Sequence, residues 1–267
     1  MTHSRKTILS LILLTAVLAL AFTVIRTVHI KNYYDVTEGH FRRGSDAVTV
    51  ATAMTYITAG ILLVMGAIPK AAKKPSGETS HVTVFSGALC GFMFISSLFI
   101  QIFYFAKEGL TEGSFPIRLV FCLSMLLTIP SAMYYFKSAS TMKLQRVNAQ
   151  LLSFCPILWC ITYTIYTYFS TSLTMNSPMR LSYQATLIAA MLAMVLEARS
   201  HIGIPKQRLH IGVSLAASFI ILVFSIPEFL LSAFWLMPFG IQTVYSATLT
   251  AYAVYTMARL TAYAPAE

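Results

Sequence analysis

The chain has 267 residues, of which 57% are hydrophobic and only 10% are charged. Soluble domains carry about 25% charged residues, so this composition excludes a soluble globular protein and indicates an integral membrane protein. The formal net charge of +10 is compatible with nucleic-acid binding, but the basic residues lie in short runs between apolar segments. That distribution orients membrane proteins, so we exclude nucleic acid as a partner and expect the lipid bilayer instead.

Eight segments are long and apolar enough to cross a bilayer, for which about 20 residues are needed. They are residues 7–25, 47–68, 82–106, 117–136, 151–169, 181–198, 211–227 and 239–260. The end of the seventh is left open, because Pro227 and Glu228 interrupt it before the apolar stretch 229–237, and a count of seven spans would arise there. The sequence therefore predicts an all-α, polytopic transmembrane bundle of about eight helices, forming a single integral membrane domain over residues 1–267.

The basic residues of the loops predict the orientation of this bundle. With the N-terminus in the cytoplasm, twelve of the nineteen Lys and Arg residues fall in cytoplasmic segments and seven in outer segments. Because basic residues are retained on the cytoplasmic side, we expect a cell-membrane protein with both termini in the cytoplasm.

The two halves of the chain, residues 1–149 and 150–267, share several markers. Pro116 opens the fourth segment and Pro238 the eighth, and counting from these prolines aligns Lys137 with Arg259. Such markers indicate a 4+4 tandem repeat with both halves in the same orientation, and binding sites are common at the interface of such repeats. The alternative is that prolines and basic residues mark helix ends in any membrane protein.

The sequence contains no recognisable catalytic motif. It has no HExxH pair, no GxSxG nucleophile and no phosphate-binding loop, so an enzyme is not the expected class, and whether the protein holds a cofactor is left open. The four cysteines lie inside apolar segments, where we expect them to be free and buried as small apolar side chains: Cys90, Cys122, Cys155 and Cys160.

The first outer loop, predicted between the first two segments, carries two histidines and two carboxylates within twelve residues. These are weak candidates for a divalent metal site, and a solvated loop is the favoured alternative: His29, Asp35, Glu38 and His40.

Two segments carry aromatic and polar residues at helical spacing. In the fifth, Trp159, Tyr163 and Tyr166 indicate an interfacial aromatic belt, with contact to a ligand as the alternative. In the eighth, steps of three and four residues define a polar stripe, which should face the bundle interior and serve either interhelical hydrogen bonds or a lined cavity: Gln242, Tyr245, Leu249, Tyr252, Thr256 and Arg259.

Several polar residues are predicted at one depth, near the outer ends of the helices. An ionised side chain at this depth usually faces the protein interior or an aqueous cavity, so we expect Glu228 to pair with Arg118 or Arg180 beneath an outward-facing vestibule. Independent extension of these side chains to the headgroups is the alternative. The candidate ligand-binding residues are Gln101, Arg118, Arg180, Gln184, Glu228, Gln242, Tyr245 and Tyr252.

These features favour a protein that binds or transports a small molecule or lipid. Two alternatives stay open: a sensor, immunity or assembly subunit that acts through a membrane partner, and an intramembrane enzyme. A water-filled cavity that reaches mid-membrane and is lined by polar residues would support the first function. A solid bundle with one flat face of small residues, around Ala247 and Ala251, would support the second, and convergent histidine and acidic side chains at one depth would support the third.

Overall fold

The structure, a computed structural model, describes residues 3–35, 38–42, 46–69, 81–108, 115–139, 146–169, 177–204, 206–234, 237 and 240–263. Its helices are α1 His3–Tyr33, α2 Asp46–Ala67, α3 His81–Glu108, α4 Phe115–Ala139, α5 Arg146–Phe169, α6 Pro178–Ile202, α7 Gln207–Ala233 and α8 Ile241–Leu260. The strands β1 Tyr34–Asp35 and β2 His40–Phe41 form an antiparallel hairpin between α1 and α2. The predicted class, an all-α bundle of eight helices, is confirmed.

Length and apolar composition allow seven of the helices, α1 to α7, to cross a membrane. Helix α8 has 20 residues, and most of its side chains are buried against the rest of the chain. A helix enclosed by other helices can carry polar side chains because they find partners there instead of meeting lipid. The polar composition of α8 therefore follows from its position.

Six helices close into a ring. Each helix from α3 to α7 packs against the next helix in sequence, and α8 packs against α3 to complete the circle. Helices α1 and α2 lie outside this ring, where both pack against α7. Helix α7 is consequently the most enclosed apolar helix of the bundle, and its side chains contact four neighbouring helices.

The hairpin marks one end of the bundle, which we call the hairpin end. The Ser246 hydroxyl near the start of α8 lies beside Glu228 near the end of α7 at this end. At the opposite end, the Thr83 hydroxyl in the first turn of α3 donates to the carbonyl oxygen of Ala258 in the last turn of α8 (3.2 Å). Helix α8 therefore runs along the ring from one end to the other.

The structure corrects the predicted end of the first segment and gives the end of the seventh, which the sequence left open. Helix α1 continues to Tyr33, so the residues from 26 to 33 are helical, and the following loop is a hairpin turned by Gly39 in a left-handed conformation (φ 71°). Helix α7 passes through Pro227 and ends at Ala233. Proline is tolerated inside membrane helices because neighbouring helices and local adjustments satisfy the backbone groups that it frees.

Helices α2 and α7 approach each other closely at two glycines. A Cβ atom added to Gly66 would lie 2.6 Å from the Cα of Gly212, and one added to Gly212 would overlap the carbonyl oxygen of Leu63. Small residues let membrane helices approach to backbone contact. These two glycines therefore fix α2 against the ring.

The helix contacts give the tandem repeat no support, and it stays a prediction. The repeat pairs α2 with α6 and α3 with α7, so the packing of α6 against α7 should be matched by packing of α2 against α3. Among the described residues, α2 packs against α7 instead. Pro238, which the alignment of the halves pairs with Pro116, lies outside the described residues.

The four cysteines are free, as predicted. Cys90 and Cys160 are buried, but Cys122 and Cys155 are only half-buried. The predicted burial is wrong for the latter two because neighbouring helices cover their sides of α4 and α5 only in part.

Candidate functional site

Buried aromatic side chains from four helices meet in the interior of the ring. We call this set the aromatic core; it comprises Phe94, Tyr135, Trp159, Tyr163, Tyr245, Tyr252 and Tyr255, all at most 1% exposed. Trp159 of α5 contacts Phe94 of α3 (4.9 Å between ring centroids) and Tyr245 of α8 (5.4 Å). The rings of Tyr163 and Tyr245 are stacked. The aromatic belt predicted for α5 is wrong for Trp159 and Tyr163, because their faces of the helix point into the ring.

The indole of Trp159 has a clear partner within the protein. The indole N–H of Trp159 donates to the hydroxyl oxygen of Thr128 on α4 (3.1 Å), and that hydroxyl donates to the carbonyl oxygen of Ser124 (2.8 Å). This chain of hydrogen bonds joins α5 to α4 and fixes the orientation of the indole.

Other polar atoms of the interior have no hydrogen-bond partner. Among the described residues, the hydroxyl oxygens of Tyr135 and Tyr163 are fully buried and unpartnered, and so is the side-chain carbonyl oxygen of Gln101. Gln101 lies two turns from Phe94 on the same face of α3, so it belongs to the hairpin-end side of the core. Leaving such a group unsatisfied costs about 1–3 kcal/mol. The interior therefore offers several hydrogen-bonding groups to a molecule placed among these rings.

Glu228 lies near the hairpin end of the ring and is buried. Its carboxylate accepts a hydrogen bond from the Ser246 hydroxyl (2.5 Å) and forms no ion pair with an arginine among the described residues. The expected pairing with Arg118 or Arg180 is therefore not formed. The cause is its position on α7, because the side chain points towards α8 and meets a serine there.

A second polar group occupies the opposite end of the ring. The buried Glu197 of α6 accepts a hydrogen bond from the Tyr255 hydroxyl (2.7 Å), and Nε of Arg259 lies 3.9 Å from the same carboxylate oxygen. One turn later, His201 shares a hydrogen bond with the Tyr134 hydroxyl (2.9 Å). These groups satisfy one another, so they form a network that joins α4, α6 and α8.

Sequence reasoning missed Glu197 as a candidate, although a signal was present. Glu197 is an acidic residue inside a predicted span, and such residues face the interior of a bundle and have a partner. Its spacing of four residues from His201 places both on one face of α6.

Of the eight candidate ligand-binding residues, the structure buries five and leaves three half-buried. Gln101, Tyr245 and Tyr252 contribute to the ring interior, and Glu228 and Arg180 are buried towards the hairpin end. The other three are half-buried: Arg118, Gln184 and Gln242. The polar stripe predicted on α8 does face inwards, since Tyr245, Tyr252 and Thr256 are buried.

The weak metal candidates are spread over two elements. His29 lies in α1 and contacts Tyr33, while Asp35 and His40 face each other across the hairpin and Glu38 is exposed. Among the described residues, no group of three His, Cys, Asp or Glu side chains is placed to hold a metal ion.

An apolar groove of about 280 Å³ lies between the hairpin-end parts of α4 and α5. Its lining is formed by Pro116, Ile117, Val120, Ile165, Tyr166 and Phe169. It lies beside the ring, because Tyr166 contacts Tyr163 of the aromatic core (5.9 Å between centroids).

Comparisons of the chain with protein families, with curated proteins and with solved structures gave no match. The class of protein defined by the fold is a multi-pass helical membrane protein whose apolar helices contact lipid. Any more specific function has to be inferred from the ring interior itself.

Proposed function

We propose that this protein binds a small molecule or lipid inside the six-helix ring, as a binding or transport-type membrane protein. The observation that carries the proposal is the set of unpartnered polar atoms in the aromatic core, above all the hydroxyls of Tyr135 and Tyr163. In a bundle surrounded by lipid no bulk water can satisfy these groups, and a bound molecule with hydrogen-bonding atoms would do so.

The side chains of the aromatic core favour a particular ligand chemistry. Flat side chains dominate the core, and the hydroxyls of Tyr135 and Tyr163, which have no partner among the described residues, can each donate one hydrogen bond. A molecule with a flat, unsaturated body and oxygen or nitrogen acceptors fits such a lining best, since it can stack on the rings while accepting these bonds.

The other two functional classes find less support. The small-residue face around Ala247 and Ala251 is buried within the chain, so it is not free to receive a membrane partner. Glu197 and His201 do converge at one end of the ring, as an intramembrane enzyme would require, but their polar atoms pair with Tyr255 and Tyr134. Such mutual pairing is typical of a structural network.

The function is tested by identifying what the purified protein retains. We expect organic extraction followed by mass spectrometry to recover a defined compound from the wild type and from Tyr168→Phe, a control on the exposed side of α5. The double variant Tyr135→Phe with Tyr163→Phe should retain at least tenfold less of this compound, because two donors are lost. Equal recovery from all three proteins, or recovery of bulk lipid alone, would contradict the proposal.

We also propose that the protein resides in the cell membrane with both termini in the cytoplasm. The support is the distribution of basic residues, twelve against seven. Two of the seven, Arg26 and Arg180, are buried within α1 and α6 and no longer count as loop charges, which leaves five (7 − 2) and widens the asymmetry.

A further inference from the structure

Arg26 is a buried cation whose partners are all neutral among the residues that the structure describes. It lies in α1 near the hairpin end and is 6% exposed. Its two terminal nitrogens donate to the hydroxyl oxygens of Thr52 on α2 (3.3 Å) and Ser182 on α6 (3.1 Å). Its Nε is buried and has no hydrogen-bond partner. A guanidinium has five N–H donors, so most of its donor capacity is unused.

The neighbours of Arg26 compensate its charge only in part. The guanidinium carbon lies 5.1 Å from the ring centroid of Phe224 and 5.4 Å from that of Phe41. Both hydroxyl partners give their own protons to backbone carbonyl oxygens, Thr52 to that of Val48 and Ser182 to that of Pro178. They can therefore only accept from Arg26, and neither carries a negative charge. A buried charge is normally paired with an opposite one.

The position of Arg26 matches the depth of lipid phosphates. It follows Lys6 by twenty residues (26 − 6) in one continuous helix, a rise of about 30 Å, which is the thickness of the hydrocarbon core. The guanidinium joins α2 and α6, and these two helices barely touch each other among the described residues. Tyr56 of α2 contacts Phe224 (5.8 Å between ring centroids), the ring over which the guanidinium lies, and is 43% exposed, so the site lies beside the lipid-facing surface.

We propose that Arg26 binds a phosphate-type oxyanion, carried by an anionic lipid headgroup, in the seam between α2 and α6. The free N–H groups would donate to two oxygens of the phosphate at once, a geometry for which arginine is suited. This site lies outside the ring and is separate from the proposed ligand site in the aromatic core.

The test compares Arg26→Gln with Arg42→Gln, a control that removes an exposed arginine at the same end of the bundle. The probes are dioleoylphosphatidylglycerol, dioleoylglycerol with the same chains and no phosphate, and inorganic phosphate. Native mass spectrometry and thermal unfolding in a neutral detergent report binding. We expect phosphatidylglycerol to bind the wild type and Arg42→Gln alike, and Arg26→Gln at least tenfold more weakly. Dioleoylglycerol should stabilise none of them.

The outcomes separate the sources of the anion. Stabilisation by inorganic phosphate that depends on Arg26 and equals that of the lipid would support the oxyanion site with a soluble anion as its occupant. No difference between Arg26→Gln and the wild type with any probe would overturn the site.

The stability without lipid separates binding from a structural role. Without lipid, Arg26→Gln should unfold at the same or a higher temperature than the wild type, since it removes a buried charge that has no counter-ion. A large loss of stability, or failure to fold, would mean that Arg26 is a structural link between Thr52 and Ser182 and would contradict the proposal. Arg26→Lys, which keeps the charge and loses the planar fork, should bind phosphatidylglycerol several-fold more weakly. Unchanged binding by this variant would rule out two-oxygen recognition.

Discussion

Two adjacent tyrosines show how differently a buried hydroxyl can act in this bundle. The rings of Tyr135 and Tyr255 pack edge to face (5.2 Å between centroids), and both are fully buried. The Tyr255 hydroxyl donates to the carboxylate of Glu197, whereas the Tyr135 hydroxyl has no partner. The first hydroxyl therefore stabilises the fold, and the second is available to a ligand.

We expect Tyr255→Phe to destabilise the protein by roughly 1.5–3 kcal/mol, the contribution of a hydrogen bond to a charged group. Tyr135→Phe serves as the matched control and should be neutral or slightly stabilising in ligand-free protein, because it removes an unsatisfied group. Thermal or denaturant unfolding in a neutral detergent measures both. Equal losses in the two variants would indicate that the Tyr135 hydroxyl is already satisfied in the folded protein, and the ligand argument would lose its basis.

At the scale of the elements, the contact between α2 and α7 depends on the absence of two side chains. Helix α2 faces lipid along most of its surface and is joined to the ring mainly through α7. Gly66 and Gly212 bring the two backbones together at the opposite end from the hairpin. Between helices surrounded by lipid, such close packing is a principal source of association because the hydrophobic effect contributes little.

Gly212→Ala should therefore separate α2 from α7 and lower the thermal stability, with a cost of about 1–3 kcal/mol for overpacking. Gly60→Ala, on the partner helix α2, is the control, since a Cβ atom there would meet nothing within 4 Å. It should be neutral or slightly stabilising because alanine favours the helix by up to about 1 kcal/mol. A Gly212→Ala protein as stable as the Gly60→Ala protein would show that α2 can shift without loss.

Apolar runs predicted the existence of all eight helices, because crossing a bilayer demands length and hydrophobicity that can be counted directly. The end of α1 was not predictable in this way, since Arg26 resembles the first residue of a loop until its partners on α2 and α6 are known. Helical spacing predicted that Tyr245 and Tyr252 face the ring interior, but it did not predict this for Glu197 and Tyr135. Their roles depend on which helices close the ring, and a single sequence does not contain that information.

At the scale of the whole molecule, α8 determines on which side of the membrane the residues after it lie. It is too polar to be counted with the seven apolar helices, yet it lies between α3 and α7 and completes the ring. Its first turns lie beside Glu228 and its last turn beside Thr83, which are at opposite ends of the bundle. We propose that α8 makes an eighth crossing, which would place the residues after it on the same side of the membrane as the start of α1.

We therefore expect reporter fusions after Ile204 and after Tyr263 to give the same cytoplasmic signal, and an insertion after Glu38, in the hairpin, to give the external one. A paired reporter system, with one enzyme active only outside and one fluorescent protein active only inside, measures each position. The Glu38 insertion is the internal control, because it must differ from the other two if α1 crosses the membrane.

An external signal after Tyr263 with a cytoplasmic signal after Ile204 would mean that α8 does not cross. The ring would then be open in the membrane, and the aromatic core would lose the wall that carries Tyr245 and Tyr252. A cytoplasmic signal at Glu38 with external signals at the other two positions would instead keep the eight crossings and reverse the proposed orientation.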